Sequence, residues 1–86
     1  MTDFSITFAR SARKELEALD EPLVSKIFHK IEMLSKEPRP RGSVKLKGGK
    51  NIWRIRIEDY RVVYSIDDNN SILDIIVIRH RNKVYR

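Results

Sequence analysis

The sequence predicts an α+β domain: an antiparallel sheet of four to five strands packed against an N-terminal helical hairpin, in the order β-α-α-β-β-β. Three observations predict it. Apolar residues recur at helical spacing over residues 9–34, then every second residue from residue 44 onward. Between the two regimes lies Pro38-Arg39-Pro40-Arg41-Gly42, which neither a helix nor a central strand can cross. The 86 residues suffice for one domain, 1–86, with one small core.

The first strand is read from Phe4, Ile6 and Phe8, which alternate with Asp3, Ser5 and Thr7. Ala9, Ala12, Leu16 and Leu19 then mark the inner stripe of a helix whose other faces carry Arg10, Arg13, Lys14, Glu15 and Glu17. Asp20-Glu21-Pro22 predicts a turn and a second start, with Asp20 as N-cap and Pro22 in the first turn. Leu23, Val24, Ile27, Phe28, Ile31 and Leu34 form the apolar stripe of the second helix, and Phe28 is expected in the core. Beyond the proline linker, Val44 and Leu46 alternate with Lys45 and Lys47 until Gly48-Gly49 breaks the run. Residues 52–57 set Trp53, Ile55 and Ile57 opposite Arg54 and Arg56. After a tight Glu58-Asp59 connection, Tyr60, Val62, Tyr64 and Ile66 share a face opposite Arg61, Val63 and Ser65. Asp67-Asp68-Asn69-Asn70 is a turn, and residues 72–79, apolar except for Asp74, predict a central strand buried on both sides.

Composition narrows the chemistry. With no cysteine, disulfides, thiolate zinc sites and cysteine nucleophiles are excluded. Histidines and carboxylates show no metal-ligand spacing, so no metal and no cofactor are expected. The longest apolar run, residues 75–78, is far below the roughly 20 residues that span a bilayer. The start Met1-Thr2-Asp3-Phe4 lacks the basic and apolar regions of a secretory leader, so a cytoplasmic protein without a membrane partner is expected.

The net charge of +6 is unevenly spread. Residues 1–37 carry six basic and seven acidic side chains, residues 38–86 twelve basic and five acidic. Charge gathered on one half of a small domain favours a polyanionic partner: RNA, DNA or an acidic protein. Within that half, Arg54 and Arg56 stand two apart on one strand and therefore share a face, Arg61 lies on the next strand, and Arg79 and Arg81 close the last one. Tyr85 comes near the chain end. If these strands are neighbours, five guanidiniums and a phenol converge. Guanidinium groups make planar, bidentate contact with phosphate and stay charged at any working pH. The bland alternative is a solvated outer face whose arginines pair with Glu58 and Asp59. His29 reads as a surface residue, and His80, within the basic C-terminal run, as a phosphate contact or a general acid or base. Trp53, Tyr60 and Tyr64 alternate with aliphatic residues and read as core.

The ordered set Lys45-Leu46-Lys47-Gly48, Trp53-Arg54-Ile55-Arg56, Tyr60-Arg61-Val62-Val63-Tyr64 and His80-Arg81-Asn82-Lys83-Val84-Tyr85-Arg86, placed after a strand and a helical hairpin, resembles the RelE/ParE toxin superfamily over nearly the whole chain. The resemblance implies the small RelE-like fold and the toxin role of a type II toxin–antitoxin pair. RelE-type members cut mRNA in the ribosomal A site, whereas ParE-type members inhibit DNA gyrase. The RelE-type motifs imply catalytic roles for Arg54, Arg56, Arg61, Arg79 or Arg81, and Tyr85, with Lys45, Lys47, Lys50, His80 and Lys83 as further RNA contacts. The chain departs from the best-known enzymes in placing arginine, not lysine, at 54 and 56. Arginine cannot lose its proton, so those positions are confined to electrostatics and the base falls to Tyr85, His80 or a less specific route. The implied reaction is metal-independent attack by the RNA 2′-hydroxyl, giving a 2′,3′-cyclic phosphate. The implied partners are mRNA, the ribosome, a cognate antitoxin with an acidic contact region and, only through the antitoxin complex, operator DNA. The alternatives are a gyrase inhibitor and a non-catalytic RNA- or antitoxin-binding relative.

Overall fold

A computed structural model describes residues 3–84. The element order is β1 (Ser5–Phe8), α1 (Arg10–Glu17), α2 (Leu23–Leu34), β2 (Val44–Lys45), β3 (Ile52–Ile57), β4 (Tyr60–Asp67), β5 (Ile72–His80) and α3 (Arg81–Val84).

Each helix obeys the stripe that its sequence lays down. In α1, Ala12 and Leu16 are buried and Ala9 and Leu19 pack against the core from either end. In α2 the buried line is Ile27, Ile31 and Leu34, at i, i+4 and i+7. Phe28 stands one step, about 100°, around from that line and is 45% exposed, which corrects its expected place in the core. The N-terminus of α2 also differs from expectation. Pro22 occupies the N-cap position with no side-chain cap, and Asp20 contributes its backbone carbonyl to the Val24 N–H at 3.1 Å.

The strands form one five-stranded sheet in the order β1-β5-β4-β3-β2. β2 through β5 pair antiparallel, as the hairpin turns between them require. β1 instead joins parallel to β5, so the sheet is mixed. The physical reason is the helical hairpin. It carries the chain across one sheet face before β2 begins, and the first strand can then close the sheet beside the last.

The hairpin covers one face, the inner one. Its helices meet Ile55, Ile57, Val62, Tyr64, Ile66, Leu73, Ile75 and Ile78 in a single core. The outer face carries no helix of that hairpin. This is why β5, expected to be buried on both sides, is buried only at Leu73, Ile75 and Ile78, while Asp74, Ile76 and Val77 are half-buried.

The proline linker is fastened across the inner face by polar contacts. The fully buried Tyr64 donates its hydroxyl to the Pro38 carbonyl at 2.7 Å, and burial pushes its pKa up to about 12. Arg39 lies over the half-buried Trp53 ring, 5.4 Å from its centroid, and donates to Asp68 at 2.9 Å. Asn51, at φ 58°, accepts from Trp53 Nε1 at 2.9 Å and donates to the Ile66 carbonyl at 2.9 Å. Hydrogen bonds from Arg39 and Asn51 hold the Asp68 carboxyl below the usual carboxylate range.

Candidate functional site

Register decides which basic side chains meet. Arg56 is the partner of Arg61 across β3 and β4, and Arg61 is the partner of Arg79 across β4 and β5. Adjacent strands lie about 4.8 Å apart, so three arginines occupy one row across the sheet. All three point away from the helices, because their neighbours Ile55, Ile57, Val62 and Ile78 are buried on the inner face. Arg54 shares that outer face two residues along β3, in the next row with Val63 and Val77. Arg56 and Arg79 are exposed, and Arg54 and Arg61 half-buried.

Arg79 reaches the row through a β-bulge. Val63 pairs with Val77, but the next residue, Tyr64, pairs with Ile75, leaving Ile76 as the extra residue on β5. Counted in twos from the buried Ile75, residue 79 would face inward. With Ile76 absorbed by the bulge, Arg79 faces outward and His80 inward.

His80 is therefore on the opposite sheet face from the arginine row. Its ring meets Tyr60 edge to face, with centroids 5.2 Å apart, and its Nδ1 accepts the Asn82 N–H at 3.2 Å. That contact caps the start of α3. The Arg81 N–H donates to the Asp59 carbonyl at 2.8 Å, and its guanidinium lies 4.0 Å from the Asp59 carboxylate. Arg81 is thereby tied to the β3–β4 turn, at the same end of the sheet as the row. Of the two carboxylates that the bland alternative pairs with Arg54, Arg56 and Arg61, Asp59 thus meets Arg81, and Glu58 pairs with Lys26 at 2.8 Å.

Lys45, Lys47 and Lys50 are exposed, on β2 and the loop that leads into β3. Lys45 pairs with Trp53, three residues back along β3 from Arg56, and Lys47 and Lys50 lie in the loop before the strand begins. Lys83 belongs to α3, and Tyr85 lies outside the described residues. Two features escape the linear pattern altogether. The Ile76 bulge has no mark in an unbroken run of aliphatic residues, and the role of Asn51 as a bracket for Trp53 and Asp68 depends on contacts across the sheet. Its place beside Gly48-Gly49 is the only signal in the sequence, and it points to a turn.

Chemically, the row is a fixed array of positive charge on an open surface, suited to a phosphate and to charge that develops on it. Among the described residues, no group of three or more His, Asp or Glu side chains could hold a metal ion. None of the described helices is long and apolar enough to cross a membrane.

Comparison with known proteins extends the likeness beyond the site. Residues 6–85 match the model of a family described as the ParE toxin of type II toxin–antitoxin systems, parDE. No curated protein sequence matches the chain significantly. Among solved structures, the RelE–RelB complex of Pyrococcus horikoshii contains a chain 26% identical, with a TM-score of 0.83, the match covering 96% of this chain and 99% of that one. The RelBE2 toxin–antitoxin complex of Mycobacterium tuberculosis gives 26% identity and a TM-score of 0.79 over 92% and 99% of the two chains. A YoeB/ParE toxin from Agrobacterium tumefaciens shares the fold at 24% identity, with a TM-score of 0.77 over 90% of this chain and 98% of that one.

Proposed function

The chain belongs to the ParE toxin family of type II toxin–antitoxin systems, within the RelE/ParE superfamily, and on that premise we propose that it is a ribosome-dependent mRNA endoribonuclease that inhibits translation. The observation that carries this reading is the row Arg56–Arg61–Arg79 on the uncovered sheet face, with Arg54 beside it. A surface built only to bind another protein has no need of three cations in direct register, where like charges oppose one another.

In this reading the row holds the scissile phosphate. The RNA 2′-oxygen attacks phosphorus as the bond to the 5′-oxygen breaks, leaving a 2′,3′-cyclic phosphate and a 5′-hydroxyl. Arg54, Arg56 and Arg61 stabilise the charge that gathers on the phosphoryl oxygens. Arg79 or Arg81 stabilises the departing 5′-oxygen, which takes its proton from water. Tyr85, acting as phenolate beside these cations, takes the 2′ proton, since His80 is turned to the other face and its Nδ1 is occupied by α3. Orientation of the mRNA by the ribosome supplies much of the rate, which suits a site without a strong base of its own. Lys45, Lys47, Lys50 and Lys83 make the outlying contacts to RNA. The protein acts in the cytoplasm and is silenced by a cognate antitoxin, as the RelE–RelB complexes of its structural relatives suggest. Operator DNA is engaged only by the toxin–antitoxin assembly.

Primer extension on translated mRNA after induction tests the proposal. Cuts at codon positions in the wild type, lost in Tyr85→Phe, are the expected result. A second reading, inhibition of DNA gyrase, is favoured by the matching family model, which is that of the ParE toxin. Intact mRNA together with trapped gyrase–DNA complexes would establish it instead.

A further inference from the structure

We propose that Asp74 determines base specificity: its carboxylate, on the same sheet face as the arginine row, reads a base of the bound RNA and selects guanine. The proposal rests on the nuclease reading for its ligand and adds to it the choice of base.

Three successive rows cross the outer face. Arg56, Arg61 and Arg79 form the first. The second sets Arg54 beside Val63 and Val77. In the third, Asp74 stands between its partners Thr7 on β1 and Ser65 on β4. Its chain neighbours Leu73 and Ile75 are fully buried on the inner face, so Asp74 points outward. Four residues separate Arg61 from Ser65, which places the third row about 13 Å along β4 from the first. The face thus passes from cationic through aliphatic to a lone carboxylate.

Aspartate is disfavoured inside strands, and Asp74 is half-buried in one. No ion pair among the described residues includes it. Its Oδ1 accepts the Thr7 hydroxyl at 2.6 Å. That bond holds the carboxyl group in place without filling it, because an ionised carboxylate has about four lone-pair sites. The fold therefore presents an oriented acceptor with capacity to spare.

A nucleotide laid along the strands, its phosphate at Arg54 and Arg61, brings its base over Val63 and Val77. There the aliphatic surface and the plane of the Arg54 guanidinium support a stacked ring. The edge of the base then faces Asp74. Guanine alone among the four RNA bases sets two neighbouring donors on its pairing edge, N1–H and the 2-amino group, and a carboxylate accepts both. Adenine, cytosine and uracil each place an acceptor beside the donor, where it meets negative charge. At about 13 Å, beyond the screening length of about 8 Å at physiological salt, the carboxylate does not loosen the phosphate held at the row. It does repel any phosphate brought to the third row, so that end of the face takes base and not backbone.

The test uses the full chain and two RNA pentamers, UUGUU and UUAUU, 2′-O-methylated throughout so that they lack the attacking hydroxyl and stay whole. Amide chemical shifts report their binding. We expect shifts at Val63, Ser65, Asp74 and Val77, and tighter binding of the guanine pentamer by about tenfold, the scale of one bidentate base contact. Asp74→Asn keeps an acceptor for Thr7 but offers the base one acceptor and one donor, which suits adenine, so the preference should vanish or reverse. Equal affinity of the two pentamers for the wild type, or an unchanged preference in Asp74→Asn, would overturn the proposal. So would the absence of binding at millimolar pentamer, which would leave Asp74 to a protein contact. Cleavage maps on translated mRNA separate this proposal from the reading beneath it. Cuts by both proteins beside the same bases would remove the base contact and leave the nuclease. Selective binding of the guanine pentamer by a chain that never cuts mRNA would remove the nuclease and leave the base contact.

Discussion

Arg56 and Arg61 are register partners, directly opposite one another on the uncovered face of the sheet. Like charges so placed oppose folding by a few tenths to about 1 kcal/mol. A fold selected for stability alone would not keep them there. Arg56→Gln is therefore expected to leave the thermal midpoint unchanged or raised, while lowering ribosome-dependent cleavage by about 10²-fold or more, the scale of one lost transition-state contact. A variant that melts earlier and cuts at the wild-type rate would return Arg56 to the solvated-face reading.

Arg79 and His80 are chain neighbours with opposite assignments. Arg79→Gln should reduce cleavage to a similar degree as Arg56→Gln. His80→Asn retains a side-chain acceptor for the Asn82 N–H and so preserves the start of α3. It should cut within about threefold of wild type, because no imidazole takes part in the proton transfers proposed above. A loss greater than tenfold in a folded His80→Asn protein would restore the ring to the chemistry.

Tyr64 supplies a pH signature. Its hydroxyl is buried and bonded to Pro38, and its pKa is raised from 10.0 to about 12. The unfolded chain then loses this proton before the folded one does. The stabilisation is complete below pH 10 and is lost as pH climbs toward 12, by roughly 2–3 kcal/mol in all. Tyr64→Phe lacks this slope. At neutral pH it should be about 1 kcal/mol less stable, because the Pro38 carbonyl loses its donor. Denaturant midpoints for the two proteins should converge above pH 10 and cross before pH 12; parallel curves would show that the hydroxyl is not held as described.

Adjacent residues on α2 should respond very differently to truncation. Ile27 is fully buried, and Ile27→Ala should cost about 2–5 kcal/mol. Phe28→Ala, at a position nearly half exposed, should cost less than about 1.5 kcal/mol. Equal losses in chemical denaturation would mean that Phe28 is packed inside after all.

Much of this arrangement is legible along the chain because the relevant forces are local. The stripe Ile27–Ile31–Leu34 and the alternation around Arg54 and Arg56 are periodic, and period fixes face. Arg61 takes its place because a two-residue turn sets the register of its hairpin. Phe28 is harder to place: an apolar stripe at least 100° wide takes in a residue at its margin, and only the packed sheet shows where burial stops. The parallel seating of β1 joins residues nearly seventy positions apart, beyond the reach of any local pattern. The inward turn of His80 is hidden for a similar reason: one extra residue in an aliphatic run reverses everything downstream, and an aliphatic run does not show where it is counted twice.

That extra residue has a consequence for how the family's sequences can drift in length. At the bulge, the number of residues in β5 is uncoupled from the direction in which they point. Removing Ile76 would make Ile75 and Val77 consecutive partners of Tyr64 and Val63, a regular ladder, while leaving Ile78, Arg79 and His80 facing as they do now. The loss of Val77 gives the same regular ladder, because Ile76 then takes its place opposite Val63. A single-codon deletion at Ile76 or Val77 is thus neutral to the direction of Arg79 and His80, which makes this stretch of β5 the point where an alignment of related chains should absorb its gap.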